Sequence, residues 1–154
     1  MDVFVERFLD AFSPQALNAG FIRAAAGIHM FSPMVSSALE AVSLAFFGRS
    51  VRDPRIEASG IRRYTFVLRT LQEALRDPER SRAASTLVTV TLLLTFEGIE
   101  RTSQEATIAH SLGAARLLNY RGAENHMYGI EHLLFTRLRP YWVSFPSIFL
   151  ARGK

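Results

Sequence analysis

STLVTVTLLLTFEG, residues 85–98, is the stretch whose reading decides the fold. Its β-branched residues and partial alternation would suit a strand. A lone strand, however, has nothing to pair with, and no hairpin chemistry flanks this one. Helix signals lie on both sides instead. The stretch therefore predicts an apolar helix buried on nearly all sides. Thr89, Thr91 and Thr95 then satisfy their hydroxyls on carbonyls one turn back.

Working outward, helix punctuation recurs along the chain. Ser32-Pro33, Asp53-Pro54 and Asp77-Pro78 each pair an N-cap residue with proline at the first helical position. Thr102 followed by Glu105 reads as a capping box. Gly48 and Gly122 sit where a helix would close on a left-handed residue. These marks predict helices near 2–12, 15–30, 33–47, 54–76, 78–98, 103–120, 126–138 and 140–150. The linkers are short and no domain boundary stands out. The expected fold is all-α: a single domain of about seven or eight packed helices.

The segment IAHSLGAARLLNYRG, residues 108–122, fits such an array. On a helical wheel His110, Gly113, Ala114 and Leu117 share one face, with Ile108, Leu112 and Ala115 opposite. Both faces are apolar, so this helix is expected to be sandwiched. Gly113 and Ala114 are expected to admit a neighbouring helix closely.

Composition narrows the function. The 154 residues are 49% hydrophobic and 21% charged, enough for a sizeable core and unlike a disordered chain. With no cysteine there is no disulfide, thiolate metal site or thiol nucleophile. MDVFVERFLDAF, at the start, interleaves acidic and apolar residues too early for a signal peptide. No run approaches the ~20 apolar residues of a membrane span. An intracellular, cytoplasmic protein is expected, nuclear if it regulates transcription. The net charge is +4, and Lys154 is the only lysine among 18 basic residues. The arginines are dispersed, many near an acid, as Arg76 is to Glu73 and Arg80 to Asp77. That pattern predicts a solvated helical surface and no direct nucleic-acid contact.

The string AHSLGAARLLNYRG resembles a signature helix in the regulatory domain of fungal transcription factors that carry a zinc binuclear cluster. That signature has His, then Gly-Ala-Ala, Leu-Leu and Arg-Gly. SPMVSSALEAVSLAFFGR resembles the family's Pro-x-Val and alanine-leucine-rich helix. IRRYTFVLRTLQEAL resembles its Tyr-x-x-Ala-Leu-x-x-Leu helix, with Val67 where alanine is usual. STLVTVTLLLTFEGIE resembles a helix ending Tyr-Glu, here Phe96-Glu97. The resemblance covers almost the whole chain, and the order and spacing of its pieces carry it. Two departures stand beside it. The family's six-cysteine DNA-reading cluster is missing, and the regulatory domain normally continues past the Leu-Arg-Pro at Leu138, Arg139 and Pro140. The resemblance thus implies the first part of a regulatory domain standing alone, unable to bind DNA in the family's way.

No phosphate loop, metal-ligand spacing or Ser-His-Asp grouping is present, and Gly27 and Gly60 are isolated. No cofactor or metal is expected; His126 and His132 lie six apart, which separates them on a helix. His110 is expected to be a hydrogen-bonded core histidine matching the family pattern, with catalysis as the sharper reading. Glu97 is expected to pair with Arg116 or Arg121, or else to act as an acid or base in a pocket. Tyr64 is weighed the same way, and Tyr120 completes the catalytic candidates. His29, Phe31, Thr91, Thr95, Tyr128, His132 and Trp142 are the candidates for holding a hydrophobic small-molecule substrate.

Three functions compete. The first is a cofactor-free cyclase or isomerase of fungal natural-product biosynthesis, including the Diels–Alder type, working by shape and one polarising hydroxyl or imidazole. The second is a regulator that acts by binding full-length relatives rather than DNA. The third, a decayed fragment, conflicts with the intact caps and core. A homodimer covering Phe145, Ile148, Phe149 and Leu150 is a further possibility.

Overall fold

The computed structural model describes residues 32–127 and 129–143, together with Val3, Val5, Arg7, Phe8, Ala24, Ala25 and Gly27; of Arg137 and residues 140–143 only the backbone is described. Six α-helices follow one another: α1 (Pro33–Val51), α2 (Pro54–Arg76), α3 (Pro78–Arg82), α4 (Ala84–Glu100), α5 (Gln104–Arg121) and α6 (Gly129–Val143). A short 3-10 turn, Ala123–His126, joins the last two. The described residues hold no strand, and none of their helices is long and apolar enough to cross a membrane.

The all-α expectation stands for the described residues, which hold six of the helices. The helices expected near 2–12 and 15–30 lie largely outside the described residues. Of them, Val5 and Phe8 are buried, and the Phe8 ring meets Phe46 of α1 edge-on, with centroids 5.5 Å apart.

α4 is the hub. It touches every other described helix, and twelve consecutive residues, Thr86 to Glu97, are buried. A helix apolar all round forms only where neighbours cover it all round. Its threonines are satisfied internally: Thr89 donates to Ser85 O at 2.8 Å, Thr91 to Leu87 O at 2.9 Å and Thr95 to Thr91 O at 3.0 Å. The strand alternative is thereby excluded.

Against this hub α1 and α2 form a close antiparallel pair. Two glycines set their separation. A Cβ on Gly60 of α2 would lie 3.1 Å from Ala45 N of α1. One on Gly48 would fall 2.7 Å from Glu57 N, inside contact distance. Gly48 therefore serves the crossing and does not end its helix. α1 continues to Val51 and closes on Arg52, a left-handed residue at φ 56°.

Ser32, Asp53 and Asp77 cap as expected. Four boundaries differ. The helix expected over 78–98 breaks at extended Ala83, where the Thr86 hydroxyl takes the Arg80 carbonyl at 2.6 Å. α5 is capped by Ser103, whose Oγ accepts from Ala106 N at 2.9 Å; Thr102 is released for another partner. His126 belongs to the 3-10 turn, and α6 runs on through Pro140, which was expected to separate two helices. Finally, α5 buries Ser111, Ala114, Ala115, Leu117 and Leu118, while Ile108 and Leu112 are only half-buried. It is covered mainly on one side. Among the described residues nothing lies within 4 Å of where a Gly113 Cβ would stand, so the close approach expected there is not made by them.

Candidate functional site

Three of the four catalytic candidates meet. Tyr64 reaches from the buried face of α2, Glu97 from the last turn of α4 and His110 from α5. The Tyr64 hydroxyl donates to Glu97 Oε1 at 2.5 Å and stands 2.9 Å from His110 Nε2. The Thr102 hydroxyl donates to the other carboxylate oxygen, Oε2. Tyrosine has one proton, and Glu97 receives it. The tyrosine oxygen then accepts from His110 Nε2–H, which leaves Nδ1 as the imidazole's free lone pair.

Local structure explains the convergence. Tyr64 belongs to the buried row of α2 formed by Gly60, Tyr64, Val67, Leu71 and Ala74, and its ring lies flat on Phe96, with centroids 4.3 Å apart and planes at 12°. Arg101 is left-handed, with φ 52°, and its N–H bonds Glu97 O at 2.7 Å. That turn folds Thr102 back over the end of α4. Thr102 is the member the sequence concealed, because it reads as an N-cap. The residue beside it takes that role.

Burial sets the electrostatics. Glu97 is 1% exposed, yet no arginine touches it among the described residues; two hydroxyls hold it instead. This overturns the expected pairing: Arg116 is exposed, and Arg121 binds Glu131 at 3.2 Å and the Arg82 carbonyl. Burial pushes the Tyr64 hydroxyl well above its ordinary value, and its hydrogen bond to Glu97 and the negative charge there push it further. His110 is lowered by burial, with Glu97 opposing. One turn beyond, burial raises Glu100, Arg49 opposes, and Glu57 and Glu97 add to the rise. Glu100 Oε1 is buried without a hydrogen-bond partner, and Arg49 Nε is 3.9 Å from Oε2.

The remaining candidates are scattered or committed elsewhere. Tyr120 is 50% exposed, with the Arg82 guanidinium 4.4 Å from its ring centroid, in a polar cleft of about 460 Å³ shared with Asn119, Arg121 and Gly122. It does not join Tyr64. Thr91 and Thr95 are buried, with their hydroxyls donating to carbonyls inside α4. His132 is exposed on α6. His29, Phe31 and Tyr128 lie outside the described residues, as does the side chain of Trp142. His126 is buried, with Nε2 3.2 Å from Leu118 O. Among the described residues no three metal-binding side chains cluster.

Chemically, the Glu97–Tyr64–His110 chain can hold a proton on His110 and spread the resulting charge through the tyrosine to the carboxylate. The described cavities lie elsewhere: the Tyr120 cleft, a recess of about 350 Å³ near Met34 and Thr86, and one of about 370 Å³ beside Phe66. None is lined by Tyr64, Glu97 or His110. No known family profile, curated protein or solved structure matches this chain.

Proposed function

We propose that this chain is a regulatory helical domain that works by binding a protein partner, of the kind its motifs resemble in fungal zinc-cluster transcription factors. The internal pairing of this polar chain carries the reading. Both Glu97 oxygens accept from hydroxyls of the fold, and Tyr64 is engaged with both Glu97 and His110. Groups arranged in this way lock α2, α4 and α5 together. The surface is then left to do the work. A fusion of the whole chain to a heterologous DNA-binding module, assayed in a fungal host, tests the reading. Reporter output should change relative to the DNA-binding module alone, and folded His110→Gln should keep that change. An unaltered reporter sinks the proposal.

The same polar chain favours a second reading, a cofactor-free cyclase or isomerase for a hydrophobic substrate. Neutral His110 would take a proton from a carbon beside a carbonyl and return it after the bond shift. Tyr64 and Glu97 would orient the imidazole and balance its charge. This reading requires turnover of a polyketide or terpenoid substrate that His110→Gln abolishes. Turnover indifferent to His110, or none at all, removes it.

A further inference from the structure

Helix α2 shows solvent a face that the described fold leaves unused. Arg55, Arg62, Arg69 and Arg76 stand seven residues apart, and all four are exposed. Ile61, Leu68 and Leu75 each precede one of them; Ile61 and Leu75 are 44% and 45% exposed, and Leu68 is half-buried. Seven residues make almost two turns, so each row runs nearly along the axis, rising ~10.5 Å and drifting ~20° per step. Sequence neighbours stand ~100° apart around a helix, so the apolar row borders the buried row that holds Tyr64, and the cationic row lies beyond it, past exposed Thr65 and Gln72.

The cations are uncommitted. Among the described residues Arg55, Arg69 and Arg76 form no ion pair, and Arg62 reaches only the Ser59 hydroxyl, at 2.8 Å. Glu73 is the one exposed acid on the helix. Beyond the arginine row, Phe66 is 52% exposed and lines a recess of about 370 Å³ with Leu44, Arg62 and Arg63.

Resting on the interaction-domain reading above, we infer that this face docks an acidic amphipathic helix of a partner protein. Apolar residues at a seven-residue repeat seat along Ile61, Leu68 and Leu75, and flanking carboxylates meet the arginines. Charge complementarity selects the occupant. Free guanidiniums repeating every two turns match carboxylates at the same repeat on a packed helix. Nucleic acid would satisfy the arginines but leave Ile61 and Leu75 uncovered. An anionic membrane would want a broader apolar face than one interrupted by exposed Thr65 and Gln72. A second copy of a chain carrying +4 would bring arginine against arginine.

The test uses the full chain and fluorescence anisotropy with designed helical peptides about three heptads long, leucine at every seventh position flanked by glutamate. A lysine-flanked version, phosphatidylserine vesicles and duplex DNA run beside it. The acidic peptide should bind and the lysine peptide should not. The double variant Arg62→Glu/Arg69→Glu, with an unchanged melting temperature, should weaken binding at least ~10-fold. Ile61→Ser/Leu75→Ser should weaken it a few-fold, and added salt should weaken it for the wild type. No binding of the acidic peptide, or binding indifferent to both variants, overturns the inference. So does tighter binding to vesicles or DNA that the arginine variant abolishes and the apolar variant spares. The reporter assay separates the two levels. If Arg62→Glu/Arg69→Glu retains the full transcriptional effect, this face is the wrong one and the interaction reading survives. If the wild type binds the peptide yet leaves the reporter unaltered, the face stands and the regulatory reading fails.

Discussion

α4 and α2 lie against each other and owe their helicity to different causes. α4 buries twelve consecutive residues, has no side-chain cap at its start and no charged residue in its first or last turn that would favour the helix. Its β-branched residues are poor helix formers. Neighbours on every side hold it helical. α2 carries an Asp53 cap, Pro54 at its first position, Glu57 in its first turn and Arg76 in its last. Only one row of it is buried. Local signals specify such a helix, and its outer face is free for other uses. The hub helix therefore belongs to stability, and the capped one has an outer face on which the proposed docking can be tested.

The comparison breaks first on truncation. Leu93 in α4 is fully buried, and Leu75 in α2 is 45% exposed. Leu93→Ala should cost about 2–5 kcal/mol of unfolding free energy, cavity included, and Leu75→Ala below about 1 kcal/mol. Urea denaturation of both variants is the check. Equal losses would mean that α4 is not the hub.

Next comes the contact that ties the two helices together. Tyr64→Phe keeps the ring on Phe96 and removes only the hydroxyl, leaving Glu97 Oε1 and His110 Nε2 without that partner. A loss of about 1–3 kcal/mol is expected. Thr102→Val should cost less, because Thr102 is exposed and water can replace it at Oε2. A Tyr64→Phe variant as stable as the wild type would show that the chain Glu97–Tyr64–His110 contributes nothing to holding α2 on α4.

How much of this was legible follows the same division. The caps at Ser32, Asp53 and Asp77 are local and stood out, and so did the buried character of residues 85–98. Gly48 misled because a glycine admitting Glu57 looks in sequence like one ending a helix. Thr102 and Ser103 are both plausible caps, and the choice turned on Glu97, a tertiary contact. Tyr64, Glu97 and His110 were each nominated singly. Their meeting depends on how three helices cross, with 33 and 46 residues between the hydrogen-bonded partners. Opposite charge suggested an arginine for Glu97, yet the position of each arginine on α5 sends it elsewhere.

Acid and alkali sharpen the picture. His110 is held below its ordinary 6.5, so the unfolded chain takes the proton first. Its contribution is complete above pH 6.5 and is lost as pH falls through the lower folded value. Tyr64 is raised above its ordinary 10.0, so its contribution is present below that pH and lost as pH climbs towards the folded value. The melting temperature should therefore fall on both sides of this window. His110→Gln should flatten the acid limb and Tyr64→Phe the alkaline one. Glu100 is raised above 4.5, so its contribution is present below that pH and lost as pH rises through the folded value. Glu100→Gln should accordingly stabilise the chain at neutral pH. A pH profile unchanged by His110→Gln would refute the assigned cause.

The smallest effect concerns the junction between the two sides of the α1–α2 pair. Arg52 takes φ 56° at the end of α1, a conformation that costs a residue with a Cβ about 1 kcal/mol. Glycine adopts it freely but also loosens the unfolded chain, which offsets part of the gain. Arg52→Gly should thus stabilise by about 0.5 kcal/mol, measured as a shifted urea midpoint with an unchanged slope. The same substitution at Arg101, φ 52°, has a different expected sign. That turn delivers Thr102 to Glu97, and a looser link weakens the delivery as it relieves the backbone. Arg52→Gly should gain and Arg101→Gly should not, because only the second turn is coupled to the buried carboxylate.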